Sequence, residues 1–125
     1  MQSPHLAGIQ SHSVQTSRLE HYVLSCGKPS GTPIIFIHGN FSGASYYEEI
    51  MLSMPDSFYC IAPDLRGYGD SEDQLIDARR GARDWSDDLL ALMKSLSIEK
   101  AHFVGWSAGA APIMQLAIDH SEKIR

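Results

Sequence analysis

The pentapeptide Gly105-Trp106-Ser107-Ala108-Gly109 sets a hydroxyl between two glycines, each two residues away. A serine hydroxyl acts as a nucleophile when it stands in the open, near a base that takes its proton and near donors that steady the oxyanion it creates. This spacing serves exposure and oxyanion binding. A strand that turns into a helix within a residue or two leaves the residue at its tip strained, with its side chain outward. Gly105 and Gly109 then approach one another with no Cβ to collide. The helix start behind Ser107 offers free N–H groups and the positive end of the helix dipole, and the backbone of Ala108 is the expected donor. The plainer alternative is an ordinary helix start with Ser107 as N-cap. The buried strand expected before the motif and the helix expected after it favour the sharp turn.

Acyl transfer needs a second donor from an earlier loop. His38-Gly39-Asn40-Phe41 follows the apolar run Pro33–Ile37 and fits that place. Gly39 permits the turn, the Asn40 backbone is the expected donor, and Phe41 is the alternative if the loop is offset by one. Phe41 and Trp106 are expected to wall the site. His38, beside a glycine turn, reads as a hydrogen-bonding tie of the loop.

The elements that carry these loops follow from periodicity. Residues 1–8 are polar and read as loose. Ile9–Thr16 and Arg18–Ser25 read as a hairpin, and Gly27–Gly31 as a loop rich in turn formers. Pro33–Ile37, Phe58–Ala62 and Ala101–Gly105 have no polar face, as in parallel strands covered on both sides. Ser45–Ser53 reads as a short helix stopped near Pro55. Asp84–Ser97 aligns Trp85, Leu89, Leu92, Met93 and Leu96 on one face, with Asp84, Asp87 and Asp88 in its first turns suiting the dipole. A third helix is expected from Ser107 to about His120, with Pro112 in its first turn. Strands alternating with helices give an α/β class with a doubly wound, mainly parallel sheet, whose ligands bind beyond the carboxyl ends of the strands.

Composition narrows the functions. The chain has 125 residues, 43% hydrophobic and 20% charged, which supplies one ordinary core. A net charge of −5 with scattered basic residues argues against nucleic acid. Arg79, Arg80 and Arg83 sit among Asp77 and Asp84 and read as a solvated helix start. Cys26 and Cys60 fall in expected strands without metal-ligand spacing, so they read as buried thiols of a reducing compartment. No metal or cofactor is called for: no Gly-x-Gly-x-x-Gly follows a strand, and Gly67-Tyr68-Gly69 lacks the third glycine. No apolar run suits a signal or membrane segment, so a cytoplasmic location, a small-molecule substrate and no membrane partner are expected.

With both loops in place the chain resembles the α/β-hydrolase superfamily, in its serine branch. Asp64-Leu65-Arg66-Gly67-Tyr68-Gly69-Asp70-Ser71 adds to the resemblance, being similar to an Asp-x-Arg-Gly-x-Gly-x-Ser loop of many members. Asp64, Arg66 and Ser71 are expected to fix that loop by hydrogen bonds. Ala110 departs from the second glycine common after the pentapeptide. The resemblance covers residues 19–125 and implies a nucleophile elbow at Ser107, an oxyanion hole at Asn40 and Ala108, and hydrolysis of a small ester, thioester or lactone through an acyl-enzyme. It also implies an acid and a histidine that follow the serine in chain order. No histidine here matches that place: His102 is expected beneath the sheet and His120 about 20 Å along a helix from Ser107. The chain is therefore expected to be a partial domain, 1–125, lacking the lid, the acid and the histidine. The competing expectation is an inactive relative or ligand-binding module.

Overall fold

The computed structural model describes residues 4–125. Five strands form one sheet: β1 (Gln10–Gln15), β2 (Glu20–Cys26), β3 (Thr32–Ile37), β4 (Phe58–Pro63) and β5 (His102–Gly105), in the order β1-β2-β4-β3-β5. β4, β3 and β5 run parallel, and β2 alone runs against the others. The expected hairpin is present, with Gln10 opposite Ser25 and Gln15 opposite Glu20.

The three helices are α1 (Glu48–Ser53), extended at its start by a 3-10 turn over Ala44–Tyr47, α2 (Arg83–Ser95) and α3 (Ala110–Asp119). Strand alternation sorts the side chains to two faces. Ile34 and Phe36 pack with Leu24, Ala62, Tyr47 and Met51 on the α1 side. Ile35 and Ile37 pack with Ile61, Leu89, Leu92 and Met93 on the α2 side. This two-sided burial is why β3 carries an unbroken apolar run, and it makes the sheet doubly wound.

β5 departs from the expectation. It is the outer strand beside β3; His102 is exposed and Val104 is 43% exposed. An apolar run alone does not report whether a strand has a neighbour on each side. Beyond α3, Ala101 pairs in parallel with Ile124, through Ala101 N–H to Lys123 O and Arg125 N–H to Ala101 O, both at 3.0 Å.

Residues 1–3 of the segment expected to be loose lie outside the described residues. His5 and Leu6 are held: the Leu6 amide donates to Glu48 Oε1 at 2.7 Å, and His5 meets Glu48 Oε2 at 3.2 Å and the Tyr22 hydroxyl at 2.7 Å. Among the described residues no helix is long and apolar enough to cross a membrane.

Candidate active site

Ser107 stands at the end of β5 with φ +53°, a left-handed conformation rare for a residue with a side chain. Trp106 before it is extended, at φ −129° and ψ 150°. A 3-10 turn over Ser107–Gly109 then leads into α3. Ser107 is exposed and the chain reverses around it. A simple N-cap has β-region torsions, so the strained tip is the geometry present.

The flanking glycines explain how the turn closes. A Cβ on Gly105 would lie 2.9 Å from the Gly109 carbonyl oxygen. A Cβ on Gly109 would lie 2.5 Å from the carbonyl oxygens of both Ile37 and His38. The start of α3 therefore rests directly on the end of β3. Gly39 completes the approach: a Cβ there would meet Ser107 Cβ at 3.1 Å and the Trp106 ring at 3.0 Å. The elbow and the His38–Phe41 loop are thus in contact.

Side chains fix this junction from below. His38 is fully buried. The Leu65 amide donates to its Nε2 at 3.0 Å, which leaves the proton on Nδ1 to donate to Gly39 O at 2.8 Å. Both ring nitrogens are occupied, so the ring has no lone pair for Ser107. Tyr47 donates its hydroxyl to Ile37 O at 2.9 Å and accepts a backbone hydrogen bond from Trp106. Burial raises its phenol above the ordinary value of 10.0, which keeps that donor protonated.

The Asp64–Ser71 loop is tied as the sequence suggests. Asp64 Oδ1 accepts from the Ala44 amide at 2.8 Å and Oδ2 from the Asp70 amide at 3.0 Å. Gly69, at φ +52°, leaves the carboxylate its room, since a Cβ there would lie 2.1 Å from Oδ2. Ser71 donates to Asp64 O at 2.6 Å, and Arg66 grips Asp88 with Nε and Nη2, each at 2.8 Å.

Asp88 is fully buried and also accepts from Arg18 at 2.7 Å, while Asp84 pairs with Arg18 at 3.2 Å and with Arg80. Asp88 therefore anchors the Arg66 loop, while Asp84, in the first turn of α2, ties Arg18 and Arg80 as well as suiting the dipole. Phe41 is 98% exposed and forms no wall. It has φ +54°, a left-handed reversal that leaves its ring in solvent. Trp106 instead stacks on Tyr46, with centroids 5.0 Å apart and 27° between planes.

A cavity of about 170 Å³ opens beside Ala108, with His38, Gly39, Leu65, Tyr68, Trp85 and Pro112 in its lining. Its residents Tyr68 and Trp85 were not singled out for the site in the sequence. Tyr68 follows Gly67 in the loop motif and donates to Asn40 Oδ1 at 2.5 Å. The buried Trp85 Nε1 has no partner among the described residues. A larger groove of about 790 Å³, bounded by Arg18, Leu90, Lys94 and His120, lies apart from the elbow and shares none of its residues.

The remaining histidines are placed away from the nucleophile. His21 is fully buried and donates Nδ1–H to Asp64 O at 3.0 Å. His102, expected beneath the sheet, is exposed at the start of β5 with its ring 6.5 Å from Phe58. His120 ends α3 and lies 3.4 Å from Glu122. Among the described residues no cluster of His, Cys, Asp and Glu fits a metal.

The chain is 36% identical over 99 residues to the 2-hydroxymuconate semialdehyde hydrolase of Pseudomonas sp. (strain CF600), covering 77% of this chain and 35% of that protein. It is 33% identical over 98 residues to the 2-(acetamidomethylene)succinate hydrolase of Mesorhizobium japonicum, covering 78% and 34%. The chain thus spans about a third of the length of these curated relatives. The solved 2-hydroxy-6-oxo-6-phenylhexa-2,4-dienoate hydrolase from Rhodococcus sp. strain RHA1 superposes with a TM-score of 0.86 at 27% identity, covering 93% of this chain and 43% of that one. The family model for the alpha/beta hydrolase fold matches residues 32–125, from β3 through the elbow to the last residue, and the chain belongs to that family.

Proposed function

We propose that Ser107 is the nucleophile of a hydrolase that acts on a small carbonyl substrate through an acyl-enzyme. The observation that carries this reading is the left-handed, exposed Ser107 in contact with the Gly39 turn. Ser107 Oγ adds to the carbonyl carbon. The backbone N–H of Ala108 and that of Asn40 donate to the oxyanion, and the leaving group departs with a proton. Water then releases the acyl group. The proton of Ser107 needs a base. His38 is spent on its loop, and in this family the acid and histidine follow the serine in chain order.

Two substrate classes fit the elbow. One is a small ester, thioester or lactone. The second, carbon–carbon bond hydrolysis, is supported by the first of these relatives: a 2-hydroxymuconate semialdehyde contains neither ester nor amide, so its hydrolase must break a carbon–carbon bond. The competing reading is a ligand-binding module without turnover, since an unassisted serine hydroxyl is barely ionised at neutral pH.

Fluorophosphonate labelling of the chain tests the assignment. The adduct is expected on Ser107 by peptide mass spectrometry and absent from Ser107→Ala. Slow labelling fits an elbow acting through its oxyanion donors alone, which retain about 10³–10⁴-fold catalysis over water in serine hydrolases stripped of their triad. Fast labelling would remove the inactive reading. Equal labelling of Ser107→Ala would remove the nucleophile. Parallel assays with a p-nitrophenyl ester and a 2-hydroxy-6-oxo-dienoate separate the two substrate classes.

A further inference from the structure

We propose that Cys26 and Cys60 form a reversible cross-strand disulfide, made by a small peroxide and joining β2 to β4. The two residues are direct partners in the antiparallel β2–β4 ladder. Directly opposed residues point to the same face of a sheet, with Cα atoms about 4.5–5.5 Å apart in either type of antiparallel pair. A disulfide takes about 4.4–6.8 Å. Cys60 belongs to the cluster that packs under α1 and Cys26 packs against it, which leaves the two thiols as neighbours. Both are free in this structure.

The two sulfurs are not equivalent. Cys60 is buried and donates to Met51 O at 3.8 Å. Burial pushes its thiol up to about 12. Cys26 is part-exposed. Burial raises it as well, and the neighbouring Cys60 thiol only partly opposes that rise. Both line a cavity of about 170 Å³ with Gly8, Gly27, Met54 and Phe58, which admits a molecule of hydrogen peroxide's size. The Cys26 thiolate attacks one peroxide oxygen, the O–O bond breaks, and a proton completes the departing water. The Cys26 sulfenic acid then condenses with Cys60: the S–S bond forms and the hydroxyl leaves as a second water with the Cys60 proton. Two thiols are oxidised by one electron each and one peroxide is reduced to two waters.

The bridge would close a loop of about 34 residues that holds β3, the His38–Phe41 turn and α1, removing conformational freedom from the unfolded chain. The pair lies toward the start of β4, away from Ser107 at the carboxyl end of β5, so the proposal does not depend on the hydrolase reading.

The test is peroxide titration of the purified chain, native and in urea, followed by acid quench, unfolding and alkylation. In the native chain both thiols are expected to disappear together, with a mass loss of about 2 Da, a peptide joining Cys26 to Cys60, and recovery with dithiothreitol. The melting temperature of the oxidised chain is expected to rise by roughly 10 °C. The share of oxidised chain that carries the bridge rather than oxygen adducts should be higher in the native chain than in urea, a comparison that needs no variant. Cys26→Ser should leave Cys60 reduced and show no gain in melting temperature. Oxygen adducts on separate cysteines, chain-to-chain dimers, or an equal share of bridge in native and unfolded chain would overturn the proposal.

Discussion

The contact between the start of α3 and the end of β3 can be tested by one methyl group. Gly109 has φ −68° and ψ −19°, right-handed values that alanine adopts without torsional cost. Any loss in Gly109→Ala is therefore steric. The added Cβ would sit 2.5 Å from two carbonyl oxygens, those of Ile37 and His38, and 3.0 Å from the His38 carbonyl carbon. Ordinary contact begins near 3.4 Å, so α3 and the β3 end must part by roughly an ångström. Neither neighbour is a flexible side chain. Ile37 O also holds the Tyr47 hydroxyl, so moving it strains a second tie. Overpacking of this kind costs about 1–3 kcal/mol, and the upper half of that range is expected. A shift of that size between Ser107 and the Gly39 turn should slow labelling of the folded protein by about 10²-fold. Urea unfolding gives the first quantity; fluorophosphonate labelling, scaled to the folded fraction, gives the second. A variant within about 0.5 kcal/mol of the parent and labelled at the parental rate would show that this close approach does not position the nucleophile.

Other perturbations probe separate parts of the site. Asp88→Ala strands the buried Arg66 guanidinium and should cost about 3–5 kcal/mol in urea unfolding; a loss under about 1 kcal/mol would mean that the Asp64–Ser71 loop is held by other contacts. Asn40→Ala deletes the Tyr68 hydrogen bond but keeps the backbone donor, so labelling should stay within about threefold, whereas Asn40→Pro removes the N–H and should abolish it. Equal loss in both would assign the role to the side chain. His21 is lowered from its ordinary value of 6.5, chiefly by burial, so the unfolded chain binds its proton first. The stability this gives is complete above pH 6.5 and is lost as pH falls toward the folded value. His21→Asn, which can still donate to Asp64 O, should flatten that acid limb in urea titrations from pH 7.5 to 5; an unchanged limb would place the proton uptake elsewhere.

The sequence made the local features legible and left the distant ones dark. The elbow, the Gly39 turn and the ties of Asp64 and Ser71 are coded within a few residues each, where glycine spacing and strand-to-helix changes carry the signal. Asp88 shows the limit. It reads as a helix-dipole carboxylate because nothing nearby pairs with it; its partners Arg66 and Arg18 lie on a loop and a hairpin that only the folded sheet brings together. β5 shows another. Its apolar residues match those of β3, yet β3 has strands on both sides and β5 has β3 on one side and only the Ala101–Ile124 bridge on the other. Phe41 leaves its expected place because its left-handed torsion has no mark in the sequence when the residue is not glycine.

The single carboxylate of Asp64 works as a rivet through two loops, fastening the backbone at Ala44 and at Asp70 to the same point. Removing that one carboxylate would therefore free two stretches of backbone at once, and no change confined to either stretch alone would do the same.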